Sequence, residues 1–254
     1  MIILGKGQLG SAFVQQTSGV YVDLDISDEE AVLAYPWPQG EIVVNAAAYT
    51  DVDGSENNRK AAWRVNAAGP KYLITAALRA ELTLVHISSD YVFDGTETSY
   101  SEQSELCPLG VYGQSKAAGD MAMQGKHYLI RTSWLIGQGH NFVQSILKAR
   151  DPSVVCLNLG RPTFTDTLVS GIMHLLENNC EYGTYNLTNS GQPISWANFA
   201  REIYKAAGRE DHVLNSFREK GAPRPRNSIL ELDKIEKTGF KPEDWKDALA
   251  KYLC

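Results

Sequence analysis

The sequence predicts an α/β protein with a doubly wound parallel sheet and a smaller C-terminal lobe. Short apolar runs alternate with helical patterns from Ile2 to Ile130, as expected for successive β-α-β units. A glycine pattern, G-x-G-x-x-G, directly follows the first apolar run. The chain has 254 residues, of which 43% are hydrophobic, so it can bury a core without disulfides or structural metals.

The N-terminal half carries five predicted strands. Each is a short apolar run, mostly rich in β-branched residues, with turn-forming or polar residues after it. They span residues 2–4, 20–22, 42–44, 83–87 and 128–130. Between them, the spacing of apolar residues predicts helices over 9–16 and 56–80 and part of a helix over 117–123. Ser27 is expected to cap a further helix with an acidic first turn.

The C-terminal half is less regular. Its pattern predicts strands over 153–157 and 185–187, and helices over 167–176 and 195–207. Residues 216–228 are rich in proline and basic side chains, which predicts a loop. The cations of this basic loop are Arg218, Lys220, Arg224 and Arg226.

Charge and composition argue against several classes of protein. There are 24 lysine and arginine residues against 30 aspartate and glutamate residues, and the net charge of −6 argues against nucleic-acid binding. No apolar stretch approaches the roughly 18 residues of a membrane span. Cys107, Cys156, Cys180 and Cys254 lack paired spacing, so we expect no disulfide framework, no zinc site and a cytoplasmic location.

Gly5, Gly7 and Gly10 form the strand-to-helix turn that a dinucleotide-binding site requires. Its backbone is expected to approach a pyrophosphate, so a side chain at Gly7 or Gly10 should block binding while sparing the fold. The turn is not a P-loop, because Ser11 stands where that motif needs lysine. Asp23 either binds an adenosine ribose or caps a strand end, and the choice between NAD and NADP stays open.

Polar residues follow the third and fourth strands at what should be one edge of the sheet. Asn45 precedes three alanines, which leave room for a flat ligand or for close helix packing, and Ser89 follows the fourth strand. Tyr112 and Lys116 are four residues apart and share one helix face. We expect the ammonium to bring the pKa of Tyr112 toward the working range for acid–base catalysis.

Longer motifs run nearly from one end of the chain to the other. The most specific are ISSDYVFDG (87–95), PLGVYGQSKAAGD (108–120) and IRTSWLIG (130–137). With these motifs the chain resembles the extended short-chain dehydrogenase/reductases, and within them the dTDP-4-dehydrorhamnose reductase family. We therefore expect a dinucleotide-binding Rossmann domain over 1–135. Residues 136–254 should form mainly a substrate-binding lobe, with some segments returning to the sheet.

The resemblance implies reduction of the 4-keto group of a nucleotide-linked 4-keto-6-deoxyhexose, dTDP-4-dehydro-L-rhamnose, with NADPH or NADH. The implied catalytic residues are Ser89, Tyr112 and Lys116. The implied cofactor-binding residues are Gly7, Gln8, Leu9, Gly10, Asp25, Ile26, Ala46, Ala47, Thr50, Tyr112 and Lys116. The implied substrate-binding residues are Ser89, Asp90, Tyr91, Trp134, Arg224 and Asn227.

The chain departs from the family pattern in two places. Its glycine turn is one residue shorter than the usual G-x-x-G-x-x-G, and residues 11–13 lack the carboxylate through which some relatives bind magnesium. We therefore expect no metal site. Arg161 is expected either to meet a substrate phosphate or to pair with an acid.

Two alternative functions stay open. One is another nucleotide-sugar epimerase or reductase of the same superfamily. The other is a non-catalytic regulatory subunit resembling the methionine adenosyltransferase β subunit. In each case we expect a monomer or homodimer without nucleic-acid or membrane partners.

Overall fold

The computed structural model describes residues 1–217 and 221–254 and confirms the α/β class. Its strands, numbered along the chain, are β1 (Ile2–Leu4), β2 (Val20–Val22), β3 (Ile42–Asn45), β4 (Thr83–Ile87), β5 (His127–Arg131), β6 (Leu135–Ile136), β7 (Ser153–Val155), β8 (Leu159–Gly160), β9 (Thr163–Phe164), β10 (Gly183–Asn186), β11 (Ile194–Ser195) and β12 (Leu214–Ser216). Six of these strands form one sheet in the order β10-β5-β4-β3-β1-β2. All five pairings in this sheet are parallel, as predicted.

Helices cover both faces of the sheet. In chain order, the helices of the structure are α1 (Gln8–Gln16), α2 (Glu29–Ala34), α3 (Val52–Asn57), α4 (Arg59–Trp63), α5 (Gly69–Ala80), α6 (Val111–Asp120), α7 (Phe142–Lys148), α8 (Thr165–Glu177), α9 (Trp196–Ala206), α10 (Asp233–Lys237) and α11 (Trp245–Leu253), with a π-helical turn over Arg64–Ala68. α1 and α8 pack together against one face, and α2 and α5 pack together against the other.

Alternate side chains of the strands enter two separate cores. Ile3 of β1 joins Val44 and Val85 in the core beneath α1 and α8. Ile2 and Leu4 point the other way, into the core beneath α2 and α5. Because successive side chains of a strand point to opposite faces, a sheet buried on both sides needs apolar residues at consecutive positions. This explains why the predicted strands are continuous apolar runs.

The C-terminal segments form a smaller lobe with its own core. α9 packs against α7 and α11, and Phe199, Ile203 and Trp245 are buried among them. The chain also returns to the main sheet, since β10 runs parallel to β5 with Tyr185 opposite Ile130. The domain boundary at residue 135 stays a prediction.

The single helix predicted over 56–80 is wrong. The structure divides this segment into the end of α3, α4, the π-helical turn and α5. Pro70, which has no amide hydrogen, lies at the start of α5 and favours a break there. The wide turn also buries Asn66, whose side-chain amide donates to the Tyr49 carbonyl (3.1 Å) and the Ser115 hydroxyl (3.0 Å).

The helix cap predicted at Ser27 is wrong by one residue. The Asp28 carboxylate caps α2 by accepting a hydrogen bond from the Ala31 amide at 3.1 Å. The Ser27 amide instead donates to the Asp25 carboxylate at 2.9 Å. α6 begins before residue 117, so the Tyr-x-x-x-Lys pair lies on one helix as expected, but it ends at Asp120, three residues before the predicted end. The other predicted strands and helices are present, with ends shifted by at most two residues.

Gly7 and Gly10 of the glycine turn face different surroundings. A Cβ atom on Gly10 would lie 1.8 Å from the Gly5 carbonyl oxygen, a distance that the turn cannot accommodate. A Cβ atom on Gly7 would meet no atom of the chain within 4 Å. The expectation that a side chain at Gly10 spares the fold is therefore wrong, whereas for Gly7 it stays a prediction.

We expect Gly10→Ala to lower the free energy of unfolding by more than about 3 kcal/mol, because the turn must open to admit the methyl group. The matched control, Gly7→Ala, should change it by less than about 1 kcal/mol. Urea denaturation of the two variants measures both values. Similar stability losses in both variants would contradict the packing role of Gly10.

Candidate active site

A pocket of about 390 Å³ lies at the carboxyl edge of the main sheet. The turn before α1, the ends of β3, β4 and β5, and α6 form its walls. The predicted site residues that line it are Gly7, Gln8, Leu9, Ala46, Thr50, Ser89, Asp90, Tyr112, Lys116 and Trp134. Ala48, the last of the three alanines expected to leave room for a ligand, also lines it, and the lining residues that the sequence analysis missed are Ile87, Ser88, Thr132, Ser133 and Leu135.

The glycine turn forms one end of this pocket. Gly5 has φ +95°, and a Cβ atom there would lie 2.6 Å from the Ala47 amide nitrogen, so only glycine fits. Gly7 precedes α1, whose N-terminus has no side-chain cap and no acid in its first turn. Such a helix end attracts phosphate through its amides and its dipole. The open space at Gly7 therefore fits the close approach of a pyrophosphate.

Ser89, Tyr112 and Lys116 converge at the other end of the pocket. Tyr112 and Lys116 lie one turn apart on α6, and Ser89 lies just beyond the end of β4. The Ser89 hydroxyl donates to the Asp90 carboxylate at 3.1 Å, and its proximity to Tyr112 lowers the pKa of Tyr112. The Lys116 ammonium donates to the Ile87 carbonyl at 2.6 Å, so its position is fixed by the backbone of β4.

The electrostatics of Tyr112 differ from the sequence-based expectation. Burial raises the pKa of Tyr112 to about 12, and the nearby Ser89 hydroxyl only partly opposes this rise. The expectation that Lys116 brings this pKa down is therefore wrong for the protein without ligands. Burial lowers the pKa of Lys116 to about 8, because a buried ammonium loses its hydration. Tyr112 consequently holds its proton at neutral pH.

Asp90 is a second buried acid in the pocket. It is 2% exposed, and burial raises its pKa to about 7, although the hydrogen bond from Ser89 opposes this rise. The Ser89 hydroxyl lies 3.1 Å from its Oδ1 atom, while Oδ2 has no hydrogen-bond partner among the described residues. Near neutral pH this carboxyl group can either donate or accept a hydrogen bond.

Trp134 forms an aromatic wall of the pocket. Its indole stacks on that of Trp196, with ring centroids 3.6 Å apart and planes at 14°. A Cβ atom on Gly160 would lie 2.9 Å from the Trp134 ring, so this glycine allows the ring to pack against β8. Trp134 has φ +47°, a left-handed conformation that bulky residues rarely adopt. The sequence analysis missed Gly160 and Trp196 as neighbours of Trp134.

Four of the predicted cofactor residues do not line the pocket. Gly10 and Ala47 lie behind the glycine turn, where they pack against the backbone of Gly5. The Asp25 carboxylate accepts from the Ser27 amide, and this bond lowers the pKa of Asp25. The Ile26 side chain is 2% exposed and belongs to the core beneath α2 and α5. The structure thus gives these four residues packing or backbone contacts of their own.

Three of the predicted substrate residues lie outside the pocket wall. The Tyr91 ring packs edge-on against the Tyr112 ring, with centroids 6.0 Å apart. Arg224 forms an ion pair with Asp53 at 2.8 Å and also interacts with Tyr91.

Asn227, the third, donates its side-chain amide to the carbonyls of Glu97 and Thr98, each at 2.7 Å. This contact ties the basic loop to the segment after β4. Arg218 and Lys220 of that loop lie outside the described residues.

Two further predicted positions have defined contacts. The Asp23 carboxylate accepts from the Tyr21 hydroxyl at 2.9 Å, and the Lys6 ammonium lies 4.3 Å from the centroid of the Tyr21 ring. A cation that the sequence analysis did not consider therefore lies near the proposed ribose position. Arg161 donates to the backbone carbonyls of Gly191 (2.9 Å) and Leu230 (2.7 Å), so it joins two loops of the lobe.

Residues 1–217 and 221–254 contain no group of three or more His, Cys, Asp or Glu side chains that could hold a metal ion. The expectation that the protein needs no metal stays a prediction. Within the same residues, no helix is both long enough and apolar enough to span a membrane.

Comparison with known proteins identifies the relatives of this chain. The family model described as "RmlD substrate binding domain" matches residues 1–254. The dTDP-4-dehydrorhamnose reductase of Aggregatibacter actinomycetemcomitans is 35% identical, over 90% of this chain and 86% of the relative. The spore coat polysaccharide biosynthesis protein SpsK of Bacillus subtilis is also 35% identical, over 91% of this chain and 85% of its own length.

Solved structures agree with this relationship. The dTDP-4-dehydrorhamnose reductase of Bacillus anthracis, in complex with NADP, superposes with a TM-score of 0.93 at 32% identity, over 99% of this chain and 97% of that one. The dTDP-glucose 4,6-dehydratase DesIV of Streptomyces venezuelae, at 21% identity and a TM-score of 0.83, shares the fold. The full-length family match and these identities show that the chain belongs to the dTDP-4-dehydrorhamnose reductase family.

Proposed function

We propose that the protein reduces the 4-keto group of a nucleotide-linked 4-keto-6-deoxyhexose with NADPH or NADH, converting dTDP-4-dehydro-L-rhamnose to dTDP-L-rhamnose. The observation that carries the proposal is one shared pocket, lined by the open turn at Gly7 and by the side chains of Ser89 and Tyr112. A dinucleotide and a ketone bound there would lie side by side, as hydride transfer requires. The curated reductase relatives and the NADP complex of the Bacillus anthracis protein support the proposal.

The residues around the glycine turn fit a nicotinamide dinucleotide. The N-terminus of α1 would bind the pyrophosphate, because it is uncapped and a pyrophosphate can approach Gly7 without meeting a side chain. The nicotinamide, when bound, supplies the hydride. We keep in the proposed cofactor site Gly7, Gln8, Leu9, Gly10, Asp25, Ile26, Ala46, Ala47 and Thr50.

Three side chains handle the ketone and its proton. Ser89 donates a hydrogen bond to the carbonyl oxygen, and Tyr112 gives its proton to the alkoxide that forms. The high pKa of Tyr112 suits this direction, because a donor must be protonated before the reaction begins. Lys116 binds the nicotinamide ribose, and its positive charge stabilises the phenolate that proton transfer leaves on Tyr112.

The remaining predicted substrate residues surround this centre. We place Asp90 and Trp134 against the sugar, because both line the pocket. Tyr91 would hold the Tyr112 ring in position through their edge-on contact. Arg224 would contact the substrate diphosphate through its planar guanidinium. Asn227 would hold the basic loop in place for that contact.

The cellular location and the oligomeric state of the enzyme are part of the proposal. We place it in the cytoplasm as a monomer or homodimer, with a nucleotide sugar as its substrate. The four cysteines are free thiols, which a reducing compartment maintains.

Replacing Tyr112 with Phe tests the proton donor. The change removes one hydroxyl, so we expect kcat for the keto sugar to fall by about 10²–10⁴-fold while the Kd for NADPH stays near its original value. Stopped-flow turnover and fluorescence titration with NADPH provide the two measurements. Tyr182→Phe, the same atomic change outside the pocket, is the control. Nearly unchanged kcat in Tyr112→Phe would remove Tyr112 from the proton-transfer step.

Replacing Arg224 with Ala tests the diphosphate contact. We expect KM for the nucleotide sugar to rise about tenfold with nearly unchanged kcat, because the diphosphate is remote from the reacting carbon. Arg226→Ala removes an exposed arginine of the same loop and should leave both constants in place.

Asp53→Asn distinguishes a direct contact of Arg224 with the substrate from a role of Arg224 in holding the loop. It breaks the ion pair with Arg224 but retains the guanidinium. A rise in KM for the sugar in Arg224→Ala but not in Asp53→Asn would support a direct contact between Arg224 and the substrate diphosphate. An equal rise in Asp53→Asn would show that Arg224 only tethers the loop.

A further inference from the structure

A row of buried polar side chains lies along one side of α6. Tyr112, Lys116 and Asp120 occur at successive intervals of four residues, so each lies one turn from the next. Lys116 is 2% exposed and Asp120 is 6% exposed. Tyr112 and Lys116 line the pocket, whereas Asp120 lies beneath them and does not line it.

Arg131 holds Asp120 in a fixed position. The Arg131 Nε atom donates to the Asp120 Oδ2 atom at 3.2 Å, and both side chains are buried. Arg131 also donates through Nη1 to the Glu102 carbonyl at 3.1 Å, and its guanidinium lies 5.3 Å from the Phe93 ring centroid. The guanidinium is therefore held on three sides. Burial raises the pKa of Asp120, and Arg131 opposes this rise by stabilising the carboxylate.

The surroundings of Lys116 offer few charges. Tyr112 on the same helix holds its proton at neutral pH, and His86 on β4 is fully buried with its pKa well below the usual value, so both are neutral. The Ile87 carbonyl accepts one hydrogen bond from the ammonium. Asp120 is the carboxylate that raises the pKa of Lys116 against the effect of burial.

We propose that Asp120 is a positioning residue of this active site, whose carboxylate, anchored by Arg131, keeps buried Lys116 in its charged ammonium form. Asp120 touches neither cofactor nor substrate in this account and acts only through Lys116. The inference rests on the proposed function, because a charged Lys116 matters for binding ribose and for stabilising the Tyr112 phenolate. The inference gives a role to the buried Asp120–Arg131 ion pair, which takes no part in the reduction itself.

The sign of the effect follows from the charges. Burial lowers the pKa of Lys116 to about 8, and the Asp120 carboxylate keeps this pKa higher than burial alone would. An opposite charge within about 4–6 Å shifts a pKa by about 1–3 units. Removing the carboxylate should therefore move the titration of Lys116 to lower pH and make the ammonium scarce at neutral pH.

The direct test is a pH titration of the Lys116 side chain in the cofactor-free protein. The protein is labelled with ¹³C-lysine, and Lys116→Met identifies the Lys116 Cε signal. We expect Asp120→Asn to lower the titration midpoint by about one pH unit or more. Asp120→Glu, which keeps the charge, should titrate near the original midpoint. Asp211→Asn breaks an arginine pair outside the pocket and is the matched control.

Enzyme activity gives the second measurement. In Asp120→Asn, the decline of kcat at alkaline pH should move to lower pH by as much as the Lys116 titration midpoint does. In Asp120→Glu, this decline should lie near its original pH. Should Asp120→Asn not fold, the smaller neutral variant Asp120→Ser takes its place. An unchanged Lys116 midpoint in a folded neutral variant would overturn the inference, as would a uniform loss of kcat at every pH. A wild-type protein that does not reduce the keto sugar would instead refute the proposed function, whatever the titration shows.

Discussion

The parallel pairing of β1, β3, β4 and β5 is the constraint on which the site depends. Leu4 lies opposite Asn45, Asn45 opposite His86, and Ile87 opposite Ile130, so these strands end in one row. The segments that leave them therefore emerge at one edge: the glycine turn, the alanines after β3, the serines after β4 and the Thr-Ser-Trp segment after β5. A register shift of one residue in any of these strands would turn its side chains to the opposite face of the sheet. It would also displace the segment that leaves that strand at this edge.

The same edge keeps polar groups buried at a cost to stability. The Asp90 Oδ2 atom and the Thr132 hydroxyl have no hydrogen-bond partner among the described residues. Buried polar atoms without partners are rare in proteins, and each costs about 1–3 kcal/mol. Both residues line the pocket, so a bound sugar rich in hydroxyl groups can satisfy them. The unpaired atoms of Asp90 and Thr132 are therefore consistent with the proposed substrate site.

Sequence patterns predicted the sheet and the centre of the site because both depend on local signals. Gly5 needs a positive φ, and the spacing of Tyr112 and Lys116 needs only a helix. The strands β6, β8, β9 and β11 have two residues each, which is too short for a periodic pattern of apolar residues in the sequence. The lobe was therefore poorly predicted. Contacts between distant segments were missed for the same reason: nothing in the local sequence shows that Trp196 stacks on Trp134. The raised pKa of Tyr112 follows from burial, which a motif does not reveal.

The transfer of deuterium from a labelled cofactor tests the central claim most directly. The protein is incubated with dTDP-4-dehydro-L-rhamnose and NADPH carrying deuterium at both C4 positions of the nicotinamide ring, and the product is then analysed by NMR. The account predicts dTDP-L-rhamnose with one deuterium at sugar C4, since cofactor and ketone share one pocket. A product without deuterium at C4, or an isomerised keto sugar with no cofactor consumed, would contradict it.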